Sequence, residues 1–191
     1  MGFVNFGKKG DDKTLAGLID KSLTNITIPD TVTIIGAYTF NNCNRLKSII
    51  IPGGIKIVGG NAFNNCTALS TVIIQEGVES ISACAFQGCS GLTSISLPSS
   101  VKSVGDYVFQ NCRQLTTLIL LHNAVVSLVG AKALNNTLIT NGTGYIYVPN
   151  ALLEDYKTAT NWVTYADQFR AIEDYPDIIN GGEKWWLRQK L

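Results

Sequence analysis

Charge is scarce in this sequence. Lys and Arg number 15 and Asp and Glu 14 among 191 residues, so the net charge is +1 and charged residues are only 15% of the chain. That balance excludes a global field drawing in nucleic acid or an anionic membrane. Long apolar runs are missing as well. Stretches such as Ile49–Ile51 and Leu118–Leu121 are far too short to span a bilayer, so no transmembrane segment is expected. The start, Met1 to Lys9, has no long apolar core behind its basic residues. No secretory signal is visible, which points to a cytoplasmic or virion-assembled protein, with surface display left open. Histidine occurs once, as His122 beside Asn123. A catalytic triad or an imidazole metal site needs partnered or repeated histidines, so His122 reads as a loop residue and no metal is expected. The glycine-rich turns lack a phosphate-loop or dinucleotide pattern, so no cofactor is expected either.

Cysteine is present but in an odd number, five, and four of the five keep one interval: Cys43, Cys66, Cys89 and Cys112. An odd count with a regular spacing argues against a secreted disulfide scaffold. Stacked parallel rungs lie about 4.7–4.9 Å apart. Disulfides need Cβ atoms roughly 3.5–4.5 Å apart with a defined dihedral. A column of reduced, buried thiols is therefore expected. Cys84 stands outside that column, in the slot held elsewhere by Tyr38, Asn61 and Tyr107, and reads as the most reactive thiol.

What the chain does contain is one 23-residue sentence written four times. Leu23, Leu46, Leu69, Leu92 and Leu115 fall in step, as do Phe40, Phe63, Phe86 and Phe109. A fixed period in this range means stacked supersecondary units, hence a solenoid, and a long ordered surface suited to recognition. Within a unit, Leu92 to Leu97 alternates as a strand, and Pro98 ends it because proline cannot donate to a ladder. Val101 to Gly105 reads as a second short extended piece. Phe109, Cys112 and Leu115 are three apart, as in one helical or 3₁₀ turn. The residue before each column cysteine is Asn42, Asn65, Gly88 or Asn111, types that tolerate left-handed backbone. Core columns follow: Ile26, Ile49, Val72, Ile95 and Leu118; Ile28, Ile51, Ile74, Leu97 and Leu120.

These units resemble the BspA-like leucine-rich repeats, on Ile51-Pro52, Ile55, Val58-Gly59, Ala62-Phe63, Cys66 and Leu69 and their equivalents. The tail from Gly144 through Pro149 to Trp162 is similar to the closing segment of such proteins from bacteria and their phages. Departures are Gln75 for proline, Ser82 for glycine, and a fifth unit without the Phe and Cys. The resemblance implies an α/β repeat solenoid, a right-handed coil of short parallel strands with a short helical turn per repeat. It implies surface attachment, host-ligand binding or protein interaction, without catalysis. It carries no fixed set of binding residues.

The expected organisation is an N-terminal cap over 1–22, four repeats over 23–115, and a degenerate fifth repeat with a closing strand over 116–149. A helical C-terminal cap over 150–175 and a tail over 176–191 complete it. Leu15, Leu18 and Ile19 have the spacing of a capping helix, and Asn150 suits an N-cap for a helix to about Thr160. The outward residue of the first strand runs Thr27, Ile50, Ile73, Ser96, Ile119. Isoleucines facing solvent in a line, rimmed by Ser48, Thr71 and Ser94, predict a partner-binding or self-association strip. Trp185-Trp186 among Lys184, Arg188 and Lys190 is a second candidate anchor. The column Thr33, Lys56, Glu79, Lys102 alternates charge and suits register and solubility. The acidic pairs Glu154-Asp155 and Glu173-Asp174 adjoin a cap and read as solvated faces. The functional expectation is a surface- or virion-associated module binding a host protein or glycan through its strand face. The alternative is an intracellular factor or inhibitor that masks a partner protein.

Overall fold

The computed structural model describes residues 4–6, 13–18 and 20–180. Each unit contributes two short strands, and like strands stack into parallel sheets. One sheet has the order β1 (Val4–Phe6), β2 (Thr14–Leu18), β4 (Ile34–Ile35), β6 (Ile57–Val58), β8 (Ser80–Ile81), β10 (Ser103–Val104), β12 (Ser127–Leu128). The first strands of the units form the other face. There β3 (Asn25–Ile26), β5 (Ser48–Ile51) and β7 (Thr71–Ile74) pair in sequence. Next to β7 lies β9 (Ser94–Leu97), followed by β11 (Thr117–Leu120), β13 (Tyr145–Val148) and β14 (Phe169–Ala171). Every pairing is parallel except β1 with β2. The register is the 23-residue offset itself: Ile49 opposes Val72 and Ile51 opposes Ile74. Alternation then turns Ile49, Ile51, Val72, Ile74, Ile95 and Leu97 inward, where all are buried.

The third side of each rung is a run of tight turns, with no helix assigned. Cys43 N–H donates to Phe40 O and Leu46 N–H to Cys43 O, both at 3.1 Å, the spacing of i→i+3 turns. Between those amides, others point along the stack: Phe40 N–H reaches Ala62 O at 2.7 Å and Asn42 N–H reaches Asn64 O at 2.8 Å. Left-handed residues make that division possible. Asn42, Asn65, Gly88 and Asn111 all have positive φ, as their residue types foretell. So do Tyr38, Asn61, Cys84 and Tyr107, where Tyr and Cys give no such warning. A left-handed non-glycine residue costs roughly 1–2 kcal/mol, offset here by the inter-rung bonds it directs.

Two columns fill the space behind these turns. Phe40, Phe63, Phe86 and Phe109 stack with centroids 5.0, 5.1 and 5.9 Å apart. All five cysteines are free thiols, and the four in the column are buried. Cys66, Cys89 and Cys112 each donate Sγ–H, at 3.1 Å, to the carbonyl of the phenylalanine in the preceding rung. The thiol acts as a small apolar filler that also satisfies a second carbonyl lone pair. Donation to Cys66 and burial push the Cys43 thiol up, and burial does so foremost at Cys89.

Both ends depart from the helical caps that the spacing predicts. Leu15 and Leu18 belong to a strand, β2, which extends the sheet past β4, while Ile19 lies outside the described residues. The reason is the exposed edge of the first rung. Gly36 N–H donates to Leu15 O at 2.7 Å and Thr33 N–H to Lys13 O at 2.8 Å, partners a helix could not offer. At the other end the helix is short: a 3₁₀ turn over Asn150–Leu152 and then α1 (Leu153–Thr158). Pro149 occupies the N-cap position, and Asn150 instead donates its backbone N–H to the Glu173 carboxylate at 2.9 Å. Tyr156, Trp162 and Phe169 pack ring to ring over the last rung. Their polar tips finish the backbone accounting. Trp162 Nε1–H donates to Val126 O at 2.7 Å, and Val126 N–H donates to the Tyr156 hydroxyl at 3.1 Å.

Truncating an interior ring is expected to open a cavity between rungs. Phe63→Ala should cost about 3–5 kcal/mol in urea unfolding, with amide exchange accelerating first in the neighbouring rungs; uniform acceleration throughout would contradict the stacked arrangement. Thiol labelling should divide the cysteines into one and four. Cys84 is half-buried, and burial followed by the nearby Asp106 carboxylate raises its thiol. It should label first, faster as pH rises past the usual thiol range, with the other four labelling only on denaturation.

Candidate functional site

The outward column of the strand face runs in register through Ile50, Ile73, Ser96, Ile119, Tyr147 and Arg170. Its two halves differ. Ile50 is 52% exposed and Ile73 half-buried, so both reach the surface as the sequence suggests. Ile119 does not: it is 4% exposed and packs with Tyr147 and Ile172. The expectation that Ile119 forms part of an open strip is therefore corrected. The cause is a segment that sequence alternation cannot foresee. After β14 the chain turns back over this face through a 3₁₀ turn, Ile172–Asp174, and α2 (Pro176–Asn180). Ile178 joins the Ile119 cluster, Tyr175 meets the Tyr147 ring edge-on at 5.3 Å, and the Arg170 guanidinium lies 4.2 Å from the Tyr145 ring centroid.

The flanking column is Asn25, Ser48, Thr71, Ser94, Thr117 and Tyr145. Thr71 and Ser94 are exposed and Ser48 is half-buried, its hydroxyl donating to Asn25 Oδ1 at 2.8 Å. The structure thus brings Ile50, Ile73, Ser48, Thr71 and Ser94 onto one continuous surface. Trp185 and Trp186 lie outside the described residues. On the opposite sheet Glu79 sits between Lys102 at 2.7 Å and Lys56 at 3.6 Å. The hydrogen bond and charge of Lys102, then Lys56, hold its carboxyl below the usual range. The expected charge ladder is present, and all three side chains remain largely solvated.

His122 is a loop residue, as read from the sequence, but it is buried, at 5% exposure. Its Nε2 lies 3.0 Å from Val101 O, a carbonyl that only accepts, so the proton sits on Nε2. Nδ1 is the one buried side-chain polar atom without a partner among the described residues. Burial lowers the pKa, so the ring is neutral at pH 7. His122 lines an open cleft of about 320 Å³ with Ser99, Lys102, Asn123 and Val125. No carboxylate or thiol joins it there. Among the described residues no group of His, Cys, Asp and Glu is arranged to hold a metal ion. No described helix is long and apolar enough to cross a membrane. The acidic pairs serve the cap, with Glu154 pairing Lys157 at 2.8 Å and Glu173 holding Asn150.

Comparison with known proteins places these features in a family. Residues 18–140 match, in six copies, the family model described as the BspA type leucine rich repeat region. No curated protein sequence matches the chain. A leucine-rich repeat protein of T. pallidum is similar at 23% identity, covering 77% of this chain and 68% of that one with a TM-score of 0.66. One from Bacteroides capillosus is 26% identical over 62% of this chain and 93% of the other, with a TM-score of 0.53. The pneumococcal vaccine antigen PcpA is 20% identical, covering 88% of this chain and 44% of the antigen, at a TM-score of 0.65. These likenesses show the same fold.

Proposed function

The chain belongs to the BspA-type leucine-rich repeat family, a class of scaffolds that generally bind proteins, and from that premise we propose that it is a non-catalytic recognition module on a bacterial or virion surface. Its partner is a host protein, bound on the open half of the strand face. The observation that carries this reading is the adjacency of Ile50 and Ile73 on paired strands, with Ile50 52% exposed and hydroxyls alongside. Branched aliphatics flanked by Ser48, Thr71 and Ser94 suit a protein surface that buries apolar area and donates at its rim. They suit a glycan less, because no aromatic ring stands among them. Placement on a parallel ladder makes the patch rigid, so binding orders few side chains.

The second reading, an intracellular factor that masks a partner protein, draws on the five unpaired thiols. Both readings use the same face, and partner identity separates them.

Replacing Ile50 and Ile73 together by Glu should leave the circular dichroism spectrum and cooperative unfolding in place, because neither side chain enters the core. On arrays of host extracellular proteins, cytosolic proteins and glycans, the folded double variant should lose at least about tenfold in affinity for the protein that the wild type binds. Unchanged affinity would move the site off this face. A glycan ligand in place of a protein would refute the partner class.

A further inference from the structure

The slot that holds Tyr38, Asn61, Cys84 and Tyr107 is left-handed in four successive rungs, with φ of 60°, 56°, 59° and 56°. Asparagine adopts that backbone readily, whereas a bulky side chain is strained in it. Packing does not account for the tyrosine at position 38. Tyr38 is 63% exposed, more than any other large apolar residue among those described, and its side chain makes no ring contact or hydrogen bond with them. Tyr107, in the same slot, is half-buried, and Lys132 Nζ lies 5.7 Å from its ring centroid. Tyr38 is therefore strained without being packed, a combination that occurs at ligand clamps.

Amides surround the ring. Tyr38 N–H donates to Gly60 O at 3.0 Å, so Asn61 lies beside Tyr38 in the next rung, about 4.8 Å along the stack. Asn61 Oδ1 accepts from Asn64 Nδ2 at 3.0 Å, which leaves the Asn61 Nδ2 donors without a partner among the described residues. Asn41 N–H closes a turn onto Tyr38 O at 3.1 Å, and the exposed Asn42 follows it. Asn42 Nδ2 donates to Asn41 Oδ1 at 2.6 Å, and Asn42 Oδ1 is left as an open acceptor. The cation in contact with this group is Lys21, whose Nζ donates to Asn41 O at 2.8 Å.

We propose that Tyr38, with Asn42 and Asn61, binds a neutral glycan on the turn side of the solenoid. The electron-rich face of the phenol ring attracts the polarised C–H groups on the flat side of a hexopyranose. Sugar hydroxyls both donate and accept, so one hydroxyl donates to Asn42 Oδ1 and another accepts from Asn61 Nδ2. A protein contact centred on one ring needs neighbours that shut out water, and the amides of Asn41, Asn42 and Asn61 hold water instead. The site is separate from Ile50 and Ile73 and does not rest on the strand-face reading.

The test applies the full-length chain to an array of oligosaccharides ending in galactose, glucose, mannose, N-acetylglucosamine or sialic acid. The wild type should bind a neutral terminus, and Tyr38→Asn should weaken that binding at least about tenfold. Asparagine suits the left-handed slot, so the same variant should melt at a higher temperature than the wild type, which separates lost binding from lost fold. Tyr38→Phe keeps the ring and should keep most of the binding. A wild type that binds no glycan, or sialylated ones alone, would overturn the proposal. So would undiminished binding by Tyr38→Asn, or a lower melting temperature, which would show that the ring serves the fold. A protein partner lost with Tyr38→Asn while no glycan is bound would assign the ring to a protein instead. The Ile50→Glu, Ile73→Glu variant should bind the glycan in full. A glycan lost by that variant and kept by Tyr38→Asn would place the sugar on the strand face and refute this site.

Discussion

The structure depends on backbone hydrogen bonds made at a constant offset of one unit. Because strand side chains alternate, a one-residue slip between rungs would turn Ile49 and Ile51 outward and Ile50 inward. Equal unit length is therefore a condition of having a core at all. The array shows what happens when the condition lapses. Ser103 opposes Ser127, an offset of 24, and Thr117 opposes Tyr145, an offset of 28. In that fifth unit the phenylalanine and cysteine columns stop, and the aromatic cap takes over both the packing and the backbone partners. Tyr156, Asn161 and Trp162 bond to Val126 and Leu128, groups that an identical next rung would have served.

The turn side of each rung solves a related difficulty. A parallel solenoid must bend sharply three times per unit while its amides still find partners. Paired left-handed residues four positions apart, such as Tyr38 and Asn42, let some amides close local turns and aim others at the next rung. A carbonyl facing inward then needs a small donor with an apolar body. Cysteine meets both demands, which gives the column a structural reason independent of redox chemistry. The amides of Asn64, Gln87 and Gln110 bond to one another in the same fashion on the rim of the turns.

The two ends of the strand face are chemically unlike although they are built by one pattern. Where β14 and α2 fold back, outward residues become a small second core around Ile119 and Tyr147. Where nothing described crosses, the same positions remain surface at Ile50 and Ile73. The open part of the strand face is thus shorter than the array and lies near its N-terminal rungs.

Period, strand positions, inward columns and the left-handed slot before each cysteine were all legible in the chain, because each is a local preference repeated in phase. A repeat multiplies weak signals, and the tyrosine closing strand at Tyr145–Val148 was readable by the same alternation. Less was visible wherever a residue answers to a partner distant in sequence. Leu15 and Leu18 have helical spacing, yet the open edge of β4 drew them into a strand. Ile119 has the same local pattern as Ile50, and only the returning C-terminal segment separates their fates. His122 likewise reads as loop and lies buried against Val101. Sequence by itself determined the rung, since the rung is set by neighbours along the chain and by its own copies. Tertiary structure alone decided which rungs stay open, because covering a face requires a contact whose two sides share no periodicity.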